Sequence, residues 1–186
     1  MDISSVEISS SHYQSHLDEA VSTNLTPEEV RTQKQIELDC RRTFGPSRIT
    51  HFLAPIEQKQ NVLYNVLTVY ARVCPEVGYC QGMNYLCGLI LIGVDFNEVS
   101  AFVILEKLLG EYGNLASIYD AKLSKLFALS DHVYDWLLES EPELEHLVSS
   151  HGVPLTTFFA GPLMACFANV FETPEIPLFI LDRLIL

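Results

Sequence analysis

The sequence is short of basic residues. Its 186 residues include 11 Lys and Arg against 24 Asp and Glu, which gives a formal net charge of −13. Nucleic acids and anionic membrane surfaces are bound by clustered Lys and Arg. The shortage of these residues argues against a nucleic-acid partner and favours a protein partner whose surface is basic or mixed.

The sequence also lacks a hydrophobic run long enough to cross a bilayer. Its longest apolar stretch, residues 85–94, ends at Asp95, whereas a membrane-spanning helix needs about 20 residues. The first 15 residues are polar and acidic and do not have the pattern of a secretory signal. We therefore expect a cytoplasmic protein without a transmembrane segment, in which the longest apolar run forms a buried core helix.

Motifs for disulfides, metals and nucleotides are missing as well. The five cysteines are odd in number and form no Cys-x-x-Cys pair, so we expect reduced, buried thiols. The six histidines form no His-Glu-x-x-His motif, and no Gly-x-x-x-x-Gly-Lys-Ser/Thr loop occurs. Cys80 has no basic neighbour in the sequence that would lower its thiol pKa. We therefore expect no metal site, no cofactor and no thiol nucleophile.

The sequence does contain helical periodicity. Apolar residues recur at helical spacing, or cover the whole helix surface, in residues 57–73, 84–93, 98–109 and 121–138. Thr26, Pro27 and Glu29 predict the start of another helix, because Thr followed three residues later by Glu forms a capping box. No segment alternates as a strand does. We therefore predict an all-α fold with a single multi-helix domain.

The beginning of the chain has a different composition. Residues 1–24 are rich in Ser and show little periodicity. We expect them to form a mobile polar leader, with at most a short helix near residues 16–21. The predicted domain then covers residues 25–186.

A polar motif, Ile36-x-x-Asp39-x-x-Arg42, lies near the end of the helix that follows Thr26. Asp39 and Arg42 are three residues apart, so they share one helix face. An arginine at a helix end can project into a partner's pocket. As an ordinary surface ion pair the same two residues would contribute under about 1 kcal/mol. The motif alone leaves both interpretations open.

A second polar motif, Tyr79-x-Gln81 followed by Gly82, precedes the most apolar helix. Glycine allows a tight turn, and the glutamine amide can both donate and accept hydrogen bonds. A glutamine presented in this way can orient a bound water or contact a phosphate. An ordinary turn between helices that happens to contain glutamine is the alternative interpretation.

Together, and in this order, the two motifs resemble those of the TBC domain, the GTPase-activating domain for Rab-type small GTPases. The resemblance covers about residues 25–186 and implies an all-α domain that is apparently shortened at its C-terminus, because members of the family continue through further helices. It implies acceleration of GTP hydrolysis on a Rab-type partner and a role in vesicle trafficking. Such a protein would be cytoplasmic or associate peripherally with endomembranes through its partner.

The resemblance also implies a role for each motif residue. Arg42 would be an arginine finger and Gln81 a glutamine finger. Asp39 would hold Arg42 in place. Tyr79 and Gly82 would shape the turn that presents Gln81, and Ile36 would anchor the helix of Arg42 in the core. The partner would carry Mg²⁺ and GTP, so the chain has no hydrolase site of its own.

The sequence leaves some alternatives open. Arg41 competes with Arg42 for the role of finger, although it lies about 100° away around the helix. The chain as a whole is alternatively a catalytically weak TBC-like module that binds a GTPase or another partner as an adaptor. An unrelated helical interaction domain is a further alternative.

Overall fold

The computed structural model describes residues 3–20, 25–43, 56–110, 115–120, 122–141, 155–171 and 173–185, with single positions between 143 and 151. Within these ranges the chain forms α-helices and one short 3₁₀ helix, and no β-strand. The helices are α1 (Ile3–Ala20), α2 (Pro27–Thr43), α3 (Ile56–Val73), α4 (Met83–Gly93), α5 (Glu98–Leu109), α6 (Ser124–Ser140), α7 (Leu155–Met164) and α8 (Glu175–Ile185), with the 3₁₀ helix at Leu115–Ile118. The predicted all-α fold is confirmed.

Helix α2 begins with the predicted capping box. The backbone N–H of Thr26 donates to Glu29 Oε2 over 2.8 Å, and the N–H of Glu29 donates to Thr26 Oγ1 over 3.2 Å. These bonds satisfy two of the donors that a helix leaves free at its start. The helix ends at Thr43 with two arginines in its last turn, where the helix dipole favours positive charge. Arg42 therefore lies at the very end of α2.

Helices α3 and α4 form the centre of the core. Helix α3 packs against α1, α2, α4 and α5, while α8 packs against α4, and α6 pairs with α7. The fully or almost fully buried side chains of the two central helices include Leu63, Val66, Leu67, Tyr70, Met83, Leu86, Cys87, Leu89 and Leu91. The turn that contains Gln81 directly precedes α4, so the most buried part of the fold holds it in place.

Residues 3–20 form helix α1, whereas we expected a mobile polar leader with at most a short helix near residues 16–21. The Tyr13 side chain is 2% exposed and its ring centroid lies 5.4 Å from that of Phe102 on α5. Its hydroxyl donates to Glu98 Oε2 over 2.7 Å. A few tertiary contacts of this kind stabilise a helix whose own apolar pattern is weak. Residues 21–24 lie outside the described ranges.

Helix α4 is the most apolar of the described helices, but it has only 11 residues. No helix in the described part of the chain combines the length and the apolar character that spanning a bilayer requires. The longest apolar run of the sequence is instead a core helix, as expected.

Candidate functional site

A buried carboxylate, Asp39, connects the two polar motifs. Its side chain is fully buried and forms an ion pair with Arg42, one helical turn further along α2. The hydroxyl of Tyr79 donates to Asp39 Oδ2 over 2.7 Å, and the amide of Gln35 donates to Oδ1 over 3.2 Å. A buried carboxylate is stable only when it is paired and hydrogen-bonded. Asp39 meets both conditions with partners from both motifs.

The exposed members of the two motifs are Arg42 and Gln81. Gln81 is exposed, and the Arg42 side chain is 49% exposed although one of its nitrogens contacts Asp39. An arginine has five N–H donors, more than this ion pair can use. Each motif therefore presents one polar side chain to solvent, a cation in one case and a carboxamide in the other.

The neighbouring arginine has a different environment. Arg41 Nη2 lies 2.5 Å from Glu37 Oε1, and both side chains are more than half exposed. Only Arg42 of the two is therefore paired with the buried carboxylate. This difference distinguishes two residues that the sequence motif left in competition.

Burial sets the protonation of the groups around Asp39. Burial, followed by hydrogen bonding to Asp39, raises the pKa of the Tyr79 phenol far above its usual range. The phenol therefore remains protonated and donates at any physiological pH. Burial, followed by the charge of Asp39, also raises the pKa of the Cys80 thiol. A raised pKa keeps Cys80 in the unreactive thiol form.

Gly82 lies where no other residue fits well. Its φ is +109°, and a Cβ built on it would lie 2.9 Å from Met164 Cβ and 3.1 Å from the Met164 carbonyl oxygen. The end of helix α7 thus lies directly against the turn of Gln81. The Tyr119 hydroxyl donates to that same carbonyl over 2.7 Å and holds it there. The sequence analysis did not assign Met164 to the site.

Two further residues of the site were missed by the sequence analysis. Asn84, which is fully buried, donates from Nδ2 to Thr43 Oγ1 over 2.7 Å. Its Oδ1 accepts a 3.0 Å hydrogen bond from the backbone N–H of Gly82. The Thr43 hydroxyl in turn donates to the Asp39 carbonyl over 2.7 Å. One signal could have identified Asn84, because it is a polar residue in an otherwise apolar helix.

The remaining predicted site residue, Ile36, is fully buried in the core on α2. The structure thus brings the predicted residues together in two adjoining segments, the last two turns of α2 and the turn before α4. The role of Ile36 as an anchor for α2 stays a prediction.

We predict that Tyr79→Phe destabilises the fold, because it leaves the buried Asp39 with one donor fewer. A hydrogen bond to a charged group contributes about 1.5–3 kcal/mol, so urea unfolding should show a loss of that size. Tyr134→Phe on α6 is the matched control, since the Tyr134 hydroxyl has no hydrogen-bond partner among the described residues. Equal losses in the two variants would contradict a special role for the Tyr79 hydroxyl.

Other candidate sites lie apart from this cluster. In the described ranges, no three His, Cys, Asp or Glu side chains are grouped as metal ligands. His12 and His16 are four residues apart on α1, a spacing that the sequence analysis passed over, and their Nε2 atoms are 2.8 Å apart. A cavity of about 320 Å³ lies between α1, α2 and α3, and neither Arg42 nor Gln81 lines it.

Comparison with known proteins gives a consistent assignment. The family model of the Rab-GTPase-TBC domain matches residues 4–186. Growth hormone-regulated TBC protein 1-A of Danio rerio is 37% identical over 86% of this chain and 42% of its own length. Growth hormone-regulated TBC protein 1 of Xenopus tropicalis is 29% identical over 71% of this chain and 37% of its own length.

A third relative is TBC1 domain family member 2A of Bos taurus, which is 35% identical over 73% of this chain and 14% of its own length. The chain thus spans less than half the length of these curated relatives. No solved structure gives a significant match. Because the family model covers nearly the whole sequence, the chain belongs to the Rab-GTPase-TBC domain family.

Proposed function

We propose that this chain accelerates GTP hydrolysis on a Rab-type small GTPase, with Arg42 as an arginine finger and Gln81 as a glutamine finger. The hydrogen bond between Tyr79 and Asp39 is the observation that carries the proposal. It joins the motif that contains Gln81 to the motif that contains Arg42 at a buried carboxylate. The two exposed side chains are thereby supported by the same buried cluster.

The proposed role of Arg42 follows from the charge that develops during phosphoryl transfer. Negative charge spreads over the transferred phosphoryl group and its leaving oxygen, and a cation supplied in trans is worth about 10³ to 10⁵ in rate. The ion pair with Asp39 restricts the side chain before the partner arrives. The cost of ordering the arginine is therefore lower when it meets the phosphates.

The proposed role of Gln81 follows from the need to orient the attacking water. Its amide can accept a hydrogen bond from the water and donate one to the phosphoryl group at the same time. A neutral amide needs no unusual pKa for this role. The buried links on both sides of Gln81 favour a fixed position, which orientation of a nucleophile requires.

The partner would supply the rest of the active site. The GTPase carries GTP and Mg²⁺, so the proposed function needs no cofactor on this chain. The net charge of −13 favours a partner with a basic or mixed surface. Contact with a Rab-type GTPase would bring the chain to endomembranes peripherally and involve it in vesicle trafficking.

The test is single-turnover GTP hydrolysis across a panel of Rab-type GTPases with the wild type and Gln81→Ala. We expect the wild type to accelerate at least one GTPase and Gln81→Ala to lose about two orders of magnitude of that acceleration. Gln14→Ala, an exposed glutamine on α1, is the matched control and should retain the wild-type rate.

Two results would count against the proposal. A folded wild type that accelerates no GTPase but binds one in its GTP-locked form would favour the adaptor module. Equal rates for Gln81→Ala and Gln14→Ala would leave the acceleration in place but remove the glutamine finger from the mechanism.

A further inference from the structure

The turn of Gln81 has a second buried connection to helix α2, separate from the bond between Tyr79 and Asp39. It consists of the side chains of Thr43 and Asn84, which are 4% and 0% exposed. Three consecutive hydrogen bonds run from the Gly82 N–H through Asn84 and Thr43 to the Asp39 carbonyl, over 3.0, 2.7 and 2.7 Å. Hydrogen bonds in such a dry environment are stronger than in water.

The orientation of Asn84 follows from its partners. The Gly82 N–H can only donate, so the amide oxygen of Asn84 must face it and the amide NH₂ must face Thr43. The Thr43 hydroxyl uses its single proton for the Asp39 carbonyl and accepts from Asn84. In this orientation each of these donors and acceptors has a hydrogen-bond partner.

The two connections lie on opposite sides of Gln81 along the chain. Tyr79 is bonded to Asp39 two residues before it, and Gly82 is bonded to Asn84 immediately after it. A turn held at one point can rotate about that point, whereas a turn held at both ends cannot. Gln81 itself is exposed and lies between these two fixed points.

We propose that Thr43 and Asn84 are positioning residues, which hold the turn of Gln81 at a fixed place relative to the end of α2. This inference rests on the proposed function, because it assigns the pair to the orientation of a glutamine finger. A pair that only stabilised helix packing would instead affect folding, binding and rate together. The difference between these two roles can be measured.

The first test uses Thr43→Val, which keeps the side-chain volume and removes the hydroxyl. We expect the single-turnover rate at saturating activator to fall about 10- to 100-fold, since small misplacements near a reacting centre have effects of this size. Affinity for the GTPase loaded with a non-hydrolysable GTP analogue should stay within about twofold of the wild-type value, and Thr43→Ser should restore most of the rate.

Ser130→Ala is the matched control. Ser130 is a buried hydroxyl on α6 that donates to the Leu126 carbonyl over 2.8 Å, as Thr43 does to Asp39, but it has no part in the site. It should keep the wild-type rate. If Thr43→Val does not fold, Thr43→Ala is the second variant, because it leaves space for water beside Asn84 while still removing the direct bond. A wild-type rate in a folded Thr43 variant that lacks the hydroxyl overturns the proposal.

The second test repeats Thr43→Val in a Gln81→Ala background. If the hydroxyl acts by positioning Gln81, its removal should have little further effect, about threefold or less, because residues that act as a unit are not additive. An undiminished effect in that background overturns the proposal and assigns the pair a general structural role.

The third test does not depend on any GTPase. Hydrogen exchange of the Gly82 amide, measured by NMR, should be slow in the wild type and at least about tenfold faster in Thr43→Val. If the wild type activates no GTPase but Thr43→Val still accelerates exchange of the Gly82 amide, the proposed function is refuted and the fixed position of the turn is supported. An unprotected Gly82 amide, or equal exchange in both proteins, overturns the inference itself.

Discussion

Arg42→Ala should abolish most of the GTPase acceleration, with a loss of about 10³-fold or more in the single-turnover rate. The reason is that the substitution removes the cation which would stabilise charge on the transferred phosphoryl group. It also leaves Asp39 without its ion-pair partner, although Tyr79 and Gln35 still donate to that carboxylate. The measurement uses the GTPase that responds best to the wild type, at saturating activator.

Arg41→Ala is the matched control for this experiment. Arg41 is an adjacent exposed arginine of the same helix turn, and its partner is the exposed Glu37 rather than Asp39. Its removal changes the net charge by the same amount, so it accounts for any effect of charge on encounter with the partner. A loss as large for Arg41→Ala as for Arg42→Ala would show that the wrong arginine has been assigned.

Arg42→Lys separates charge from geometry. Lysine retains the positive charge but lacks the planar fork of N–H donors with which arginine binds carboxylates and phosphates. We expect this variant to remain far below the wild-type rate. A rate near the wild type would mean that charge at this position suffices.

Gly82→Ala should be the most destabilising single substitution at the site, with a loss of about 3 kcal/mol or more in unfolding free energy, since backbone strain and overpacking each cost about 1–3 kcal/mol. The positive φ of Gly82 strains any residue with a side chain, and the new methyl would lie 2.9 Å from Met164 Cβ. Relief of this contact requires the turn or the end of α7 to move, which would also displace Gln81. Urea unfolding measures the loss.

Gly78→Ala is the control because Gly78 shares the positive φ of Gly82 but not its close contact with Met164. Gly78 also has a positive φ, +62°, but the nearest atom to its added Cβ would be the Pro75 carbonyl oxygen at 3.8 Å. Only the cost of the left-handed conformation remains, about 1–2 kcal/mol. If both variants lost the same stability, contact with Met164 would not constrain the turn.

The helices with strong local patterns could be predicted from the sequence. Thr26 and Glu29 define the start of α2 through a capping box, and the apolar surface of α4 indicates a core helix. Such features depend on residues a few positions apart, so the sequence contains all the information. Helix α1 was missed because its burial rests on Tyr13, whose partners Glu98 and Phe102 are far away in the chain.

The candidate site residues could also be named from the sequence, because two short motifs resemble those of the family. Those motifs give residue types and order, and they placed Asp39 beside Arg42 because both lie on one helix. They could not show that the carboxylate is fully buried or that Tyr79 donates to it. Burial and hydrogen bonding between segments depend on how helices pack, which short motifs do not specify.

By itself the sequence determined the helical class and the family, and its two motifs name the proposed finger residues, Arg42 and Gln81. The tertiary structure alone decided how the turn of Gln81 is joined to helix α2. The hydrogen bond between Thr43 and Asn84 joins residues 41 positions apart. The close approach of Gly82 to Met164 depends on where the end of helix α7 lies. Contacts of this kind form only when α2, α4 and α7 pack together, because no local pattern in any one segment encodes its distant neighbour.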